Sequence, residues 1–167
     1  AFRRPQRAYL RWITRAAVRT AARVIAVSES TRRDVIALCG ASAERVVVVP
    51  NGVTGEFCPA DAAETAAFRR RKGLPVRFIL FVGTLEPRKN LERLIEAYAR
   101  LIGRRSAANA APALVIVGGR GWFYETIFAR VARLGLTDRV LFPGFVPADE
   151  LPWWYRAAEL FVYPSLF

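Results

Sequence analysis

FILFVGTLEPRKNLERLIEAY, residues 78–98, is the stretch on which the fold of this 167-residue chain turns. Five apolar residues, Phe78 to Val82, stop at Gly83. From Leu91 onward the apolar positions take helical spacing: Leu91, Leu94, Ile95, Tyr98, then Leu101 and Ile102. A short buried strand followed by a one-sided helix is the repeating unit of a parallel α/β sheet, whose faces the helices cover. Asn90 is expected to cap the helix. Arg88 and Lys89 then stand just outside its first turn, where the free amides point. A helix N-terminus already carries partial positive charge, so two cations crowd there unless an anion joins them. A phosphate would satisfy amides, dipole and both cations, and a diphosphate would match two positive charges. Two side chains pointing into water are the plainer account. Glu86 is near enough to pair with one cation and weaken the diphosphate reading.

The same alternation runs on downstream. Strand Ala113–Val117 leads into a helix over 122–134, strand Val140–Phe142 into a short helix over 149–158, and strand Leu160–Tyr163 ends at Pro164-Ser165. This predicts an α/β fold with a Rossmann-like, doubly wound parallel sheet. Ligands of such sheets bind beyond the carboxyl ends of the strands. Those ends read Gly83-Thr84, Gly118-Gly119-Arg120-Gly121, Pro143-Gly144-Phe145-Val146 and Pro164-Ser165. Glycine there lets a ligand approach the backbone, although turns after strands favour glycine anyway. Neither a GxGxxG fingerprint nor a Walker loop follows any strand. Phosphates are therefore expected to be held by side-chain cations, which favours a diphosphate that leaves in a reaction over a redox dinucleotide.

Upstream, Arg3, Arg7, Arg11, Arg15, Arg19 and Arg23 recur every four residues, with Tyr9, Leu10, Trp12, Ile13 and Val18 between them. One helix with a basic and an apolar face is expected over residues 1–23. It reads either as a solvated surface helix or as a contact for acidic lipid head groups. Strand Val24–Val27, a helix capped by Ser28 and ending near Gly40, and a second, buried strand Arg45–Val49 follow. The turn-rich stretch from Pro50 to Ala60 reads as a linker, and a helix is expected from Asp61 to Lys72, closed by Gly73.

Bulk composition narrows the chemistry. The chain is 53% hydrophobic and 24% charged, a globular balance. No apolar run reaches the ~18 residues of a membrane span. There is no histidine, which removes Ser-His-Asp and Cys-His catalysis and imidazole metal sites. Cys39 and Cys58 have no metal or redox spacing and read as free thiols in a reducing compartment. The net charge is +12, and residues 1–28 hold seven Arg and no acid. Such an excess favours phosphate-bearing partners. Nucleic acid is not expected among them, because Trp12, Trp122, Trp153 and Trp154 are not interleaved with the basic residues as a stacking platform.

Five segments, VIAVSESTRRDV (24–35), VVVVPNGV (46–53), FVGTLEPRKNLERLIEAY (81–98), LVIVGGRGW (114–122) and DRVLFPGFVPADELPWWYRAAELFVYPSLF (138–167), resemble the GT-B glycosyltransferases of the retaining, nucleotide-sugar type, family 4. The match is closest to the bacterial mannosyltransferase-like branch and covers nearly the whole chain in order. The resemblance implies two Rossmann-like domains flanking an active site. Residues 1–49 would be the C-terminal part of the acceptor-side domain, 50–75 a linker and helix, and 76–167 the first part of the donor-binding domain. It implies transfer of a mannose-like hexose from a nucleoside-diphosphate sugar, GDP-mannose being a candidate, to a glycan or lipid-linked acceptor in cell-envelope polysaccharide synthesis. No metal or other cofactor is implied. Arg88 and Lys89 would stabilise the leaving diphosphate, with Gly83 and Thr84 lining the phosphate side. Phe145 and Val146 would hold the nucleobase largely through backbone, and Gly118, Gly119 and Ser165 would complete the donor site. A cytoplasmic location is implied, at the inner face of the plasma membrane if residues 1–23 bind anionic lipid. In the family a Glu-Gly-Phe-Gly-Leu-Pro segment follows the Pro-Ser pair, and its glutamates contact donor sugar and ribose. This sequence stops at Phe167, before that segment, and begins without Met. An internal stretch with half a donor site and little or no turnover is therefore expected. The rival reading is a non-catalytic nucleotide-sugar-binding module.

Overall fold

The computed structural model describes residues 4–103 and 111–166, in two compact units divided between Thr54 and Gly55. The first contains α1 (Arg4–Thr20), β1 (Val24–Ala26), α2 (Glu29–Cys39) and β2 (Val46–Val48). The strands pair in parallel, Val24 opposite Val46 and Ala26 opposite Val48, and β2 is not the buried strand expected: Val46 is covered, but Val47 on the other face is 45% exposed. Ser28 caps α2 through its hydroxyl, which accepts from the Thr31 amide at 3.1 Å. Gly40 closes the helix in the left-handed region at φ 72°, where a side chain would be strained.

The arginine series of α1 is not a uniform solvated face. Arg15 Nε donates to the Leu38 carbonyl at 3.0 Å, and Arg23 donates to the Glu44 carbonyl. Arg45 reaches back to the open carbonyls of Val18 and Arg19, both at 3.2 Å. A guanidinium with five donors suits this satisfaction of helix-end acceptors. The apolar residues between the arginines divide: Tyr9 is 60% and Trp12 68% exposed, whereas Val18 is buried. Arg3, the first of the series, lies outside the described residues.

The second unit contains α3 (Ala62–Lys72), β3 (Phe78–Val82), α4 (Leu91–Gly103), β4 (Ala113–Val117), α5 (Glu125–Arg133), β5 (Val140–Gly144), α6 (Leu151–Ala157) and β6 (Leu160–Phe161). The sheet order is β5-β4-β3-β6, and every pairing is parallel. Successive side chains of a strand point to opposite faces, so a doubly wound sheet needs apolar residues at every position. Ile79, Phe81, Leu114 and Ile116 pack with Leu91, Ile95, Ile127 and Val131 of α4 and α5. Phe78, Leu80, Val115 and Val117 pack with Phe68 of α3 and Trp154 and Ala157 of α6. Each Val, Leu, Ile or Phe among them contributes roughly 1.5–3 kcal/mol when fully buried. Helix α3, expected within a connector over 50–75, is held in this unit by Phe68, whose ring meets Trp154 edge-on at 5.7 Å.

Strands β3 and β4 have the bounds expected from the sequence. Elsewhere local backbone shifted the ends. Helix α5 starts at Glu125 rather than Trp122 because Phe123 takes a left-handed φ of 57°. Strand β5 runs through Pro143 to Gly144, since Gly144 O accepts from Gly118 N at 2.8 Å. Helix α6 is shorter than 149–158, and β6 ends at Phe161, short of Tyr163.

Candidate functional site

The carboxyl ends of β3, β4 and β5 run on into loops that remain paired. Gly83 N donates to Val117 O at 2.9 Å, Leu85 N to Gly119 O at 2.9 Å, and Gly121 N to Leu85 O at 3.0 Å. This closeness explains two of the strand-end glycines. A Cβ on Gly118 would lie 2.0 Å from the Gly83 carbonyl oxygen, and one on Gly121 would lie 2.7 Å from that of Leu85. The backbone that needs room at Gly118 is thus the protein's own. Gly119 has nothing within 4 Å of its missing Cβ, so its face is open. Thr84 is exposed on the same crossing, and Gly83 leaves space for the rings of Phe81 and Tyr163.

Arg88 and Lys89 stand directly before α4, as expected, with Asn90 alone between them and the helix. They lie in a short 3₁₀ turn, Pro87–Lys89, that ends at Asn90 with φ 57°. Asn90 differs from the sequence expectation: its side chain does not cap α4 but donates from Nδ2 to Pro164 O at 3.2 Å. Asn tolerates the left-handed region better than most residues because its short polar side chain bonds locally. The turn sits against the segment that follows β6. Ser165 Oγ and Leu166 N both lie 3.3 Å from the Arg88 carbonyl.

The two cations are held differently. Arg88 donates through Nε and Nη2 to one carboxylate oxygen of Glu86, at 2.9 and 2.7 Å. The Glu86 side chain is only 4% exposed, that of Arg88 54%. Much of the Arg88 charge is therefore answered at close range by the acid that the sequence had flagged. Lys89 forms no ion pair among the described residues; its ammonium donates to the Tyr163 hydroxyl and lies 4.5 Å from the centre of that ring. A neutral phenol hydroxyl orients an ammonium without cancelling its charge. A third cation at the rim, Arg120, lies 5.2 Å over Tyr124 and 5.8 Å over Phe128.

Phe145 follows β5 and is 79% exposed, free to meet a ligand. Val146 turns the other way and packs partly against the cluster around Phe68 and Trp154. The structure thus joins Gly83, Thr84, Arg88, Lys89 and Ser165 in one neighbourhood, with Gly118 and Gly119 across the adjacent strand end. A cleft between α4 and α5, lined by Glu86, Asn90, Glu92, Arg93, Thr126 and Arg130, includes neither Arg88 nor Lys89. It is a polar seam: Arg130 pairs with Glu92 and Glu96 at 3.1 and 2.5 Å. Thr126 also donates to Glu92 at 2.8 Å, and these partners, Thr126 foremost, hold the Glu92 carboxyl below its ordinary range.

Tyr163 and Arg120 were not singled out from the sequence. Tyr163 meets Lys89 only because β6 lies beside β3, and spacing along the chain does not reveal strand order. Arg120 was visible as a lone cation inside a glycine-rich strand end, a weak signal taken alone.

Residues 63–167 match the family described as glycosyl transferases group 1, and residues 1–57 match glycosyltransferase family 4. The O-antigen chain mannosyltransferase B of Escherichia coli is 30% identical over 145 residues, which cover 86% of this chain and 37% of that protein. A D-inositol 3-phosphate glycosyltransferase of Acidothermus cellulolyticus is 37% identical over 155 residues, 89% of this chain and 34% of that protein. Among solved structures, Anabaena HepE in complex with UDP and glucose superposes with a TM-score of 0.77 at 27% identity, covering 95% of this chain and 42% of that one. This chain therefore spans little more than a third of the length of these curated relatives. The α/β, GT-B class expected from the sequence agrees with these neighbours.

Proposed function

This chain belongs to the group 1 glycosyl transferases, and we propose that it carries the diphosphate side of the donor site of a hexosyltransferase. The whole protein would move a hexose from a nucleoside-diphosphate sugar to a glycan or lipid-linked acceptor. The observation that carries this reading is Lys89: a cation at the strand-end rim, oriented by Tyr163 and left without a carboxylate partner among the described residues. As the sugar–phosphate bond breaks, negative charge builds on the departing diphosphate. A fixed cation beside it lowers the barrier because it is already in place when the charge develops. Arg88 would add less, since Glu86 answers it in advance. Gly119 would admit the ligand close to the backbone, and Phe145 would offer a face to the base.

In this reading transfer retains the anomeric configuration and needs no metal. A mannose-like sugar, with GDP-mannose as donor, is favoured by the O-antigen mannosyltransferase relative. The UDP complex of HepE makes a UDP-sugar the competing outcome, and a 2-deoxystreptamine glucosyltransferase relative of Streptomyces kanamyceticus makes glucose the competing sugar. Calorimetric titration of the chain with UDP and with GDP, in EDTA, tests the site and ranks the bases. Saturable binding in the micromolar to millimolar range is expected; no binding of either would contradict the reading. Binding with no transfer in the whole protein would favour a nucleotide-sugar-binding module.

We also propose that α1 rests on an anionic membrane surface at the cytoplasmic face. Outward Tyr9 and Trp12 beside Arg7 and Arg11 suit a lipid interface. Among the described residues no helix is long and apolar enough to cross a membrane. Sedimentation with anionic but not neutral vesicles is expected, and equal behaviour with both removes the proposal.

A further inference from the structure

The turn at Arg88–Asn90 is laced to residues 163–166 at each of its three positions. The Arg88 carbonyl lies 3.3 Å from Ser165 Oγ and from Leu166 N. The Lys89 ammonium donates to the Tyr163 hydroxyl, and Asn90 Nδ2 donates to the Pro164 carbonyl at 3.2 Å. Tyr163 itself has little freedom. Its ring stacks on the fully buried Phe81 at 5.7 Å and 7°, and on Phe161 at 6.1 Å. Gly83 permits this stack, because a Cβ there would come 3.2 Å from the Phe81 ring and 3.8 Å from that of Tyr163.

Resting on the diphosphate reading above, we propose that Tyr163 and Asn90 are positioning residues for Lys89. Tyr163 aims the ammonium while leaving its charge whole, and Asn90 locks the turn that carries it. The physical contrast lies within the same turn. Glu86 immobilises Arg88 with a carboxylate and so answers its charge, whereas Tyr163 immobilises Lys89 with a neutral hydroxyl acceptor. Without Tyr163, the four-carbon stem of Lys89 would sample many rotamers, and each binding event would bear the cost of ordering it. Asn90 contributes through backbone: its left-handed φ of 57° ends the turn at Lys89, and its amide ties that geometry to Pro164.

The test is a double-mutant cycle on the 167-residue chain, read by calorimetric titration with UDP or GDP, whichever wild type binds more tightly. Tyr163→Phe keeps the ring and its stacking but removes the hydroxyl, and should weaken binding about 3–10-fold. In a Lys89→Ala background the same substitution should have no further effect, because there is no ammonium to aim. Asn90→Gly keeps the left-handed turn and deletes only the amide, so it should weaken binding about 3-fold and supplies a second variant if Tyr163→Phe fails to fold. A loss from Tyr163→Phe that persists undiminished in the Lys89→Ala background would mean a merely structural role and overturn the proposal. Lys89→Ala weakening binding while Tyr163→Phe and Asn90→Gly do not would overturn the positioning role alone. Binding unchanged by Lys89→Ala, or absent in wild type, would overturn the diphosphate reading and this proposal with it.

Discussion

Arg88 reaches back two residues and places two guanidinium nitrogens 2.9 and 2.7 Å from a single oxygen of the buried Glu86 carboxylate. The residue is therefore part of the fold as well as of the rim. Arg88→Ala leaves a buried carboxylate short of its partner and should lower stability by about 1–3 kcal/mol in urea denaturation. Lys89→Ala breaks only a contact to an exposed phenol and should cost under about 1 kcal/mol. Adding Glu86→Gln to Arg88→Ala should recover part of the loss; equal stability of the two single variants would show that the pair does not support the fold.

Gly118 and Gly119 are neighbours with opposite tolerances. Gly118 has φ 148°, and a Cβ would collide with the Gly83 carbonyl. Gly118→Ala should cost about 2 kcal/mol or more, seen as a clear fall in Tm. Gly119→Ala meets nothing within 4 Å and should melt within about 0.5 kcal/mol of wild type. If a nucleotide approaches this face, Gly119→Ala will weaken its binding without touching stability.

Phe68 joins α3 to the sheet and to Trp154 while only 1% exposed. Phe68→Ala should destabilise the second unit by about 3–5 kcal/mol through lost burial and the cavity left behind. Exposed Phe145→Ala should leave the melting profile unchanged.

Alkaline stability should follow Tyr98. Its hydroxyl donates to Pro112 O at 2.9 Å from a buried position. Burial pushes the phenol above its ordinary value of 10.0, with Arg139 pulling more weakly the other way. The unfolded chain then ionises first, so this contribution is whole below pH 10.0 and is lost as pH rises through the folded value. Tyr155, also raised mainly by burial, acts in the same sense. Tyr98→Phe should lower stability by about 1 kcal/mol near neutrality and make the decline above pH 10 shallower. An unchanged alkaline slope would show that Tyr98 ionises as easily in the folded state.

The features legible in the sequence were those set by local pattern. Phe78–Val82 and Ala113–Val117 are uninterrupted apolar runs of the kind that a strand covered on both faces uses. Ser28, Asp61, Gly40 and Gly73 act as the helix signals they appear to be in the sequence. Asn90 read as a cap because Asn serves both caps and left-handed turns, and only tertiary contact with Pro164 separates the two. The rim glycines were visible, but not that Gly118 makes room for Gly83 rather than for a ligand. Tyr163 could not be placed beside Lys89 without the strand order.

Whether this rim receives a diphosphate is read from the UDP and GDP affinities of wild type and Arg88→Ala/Lys89→Ala. Wild-type binding that falls at least tenfold in the double variant, with most of the loss reproduced by Lys89→Ala alone, is the predicted result. Equal affinity of wild type and the double variant would contradict it.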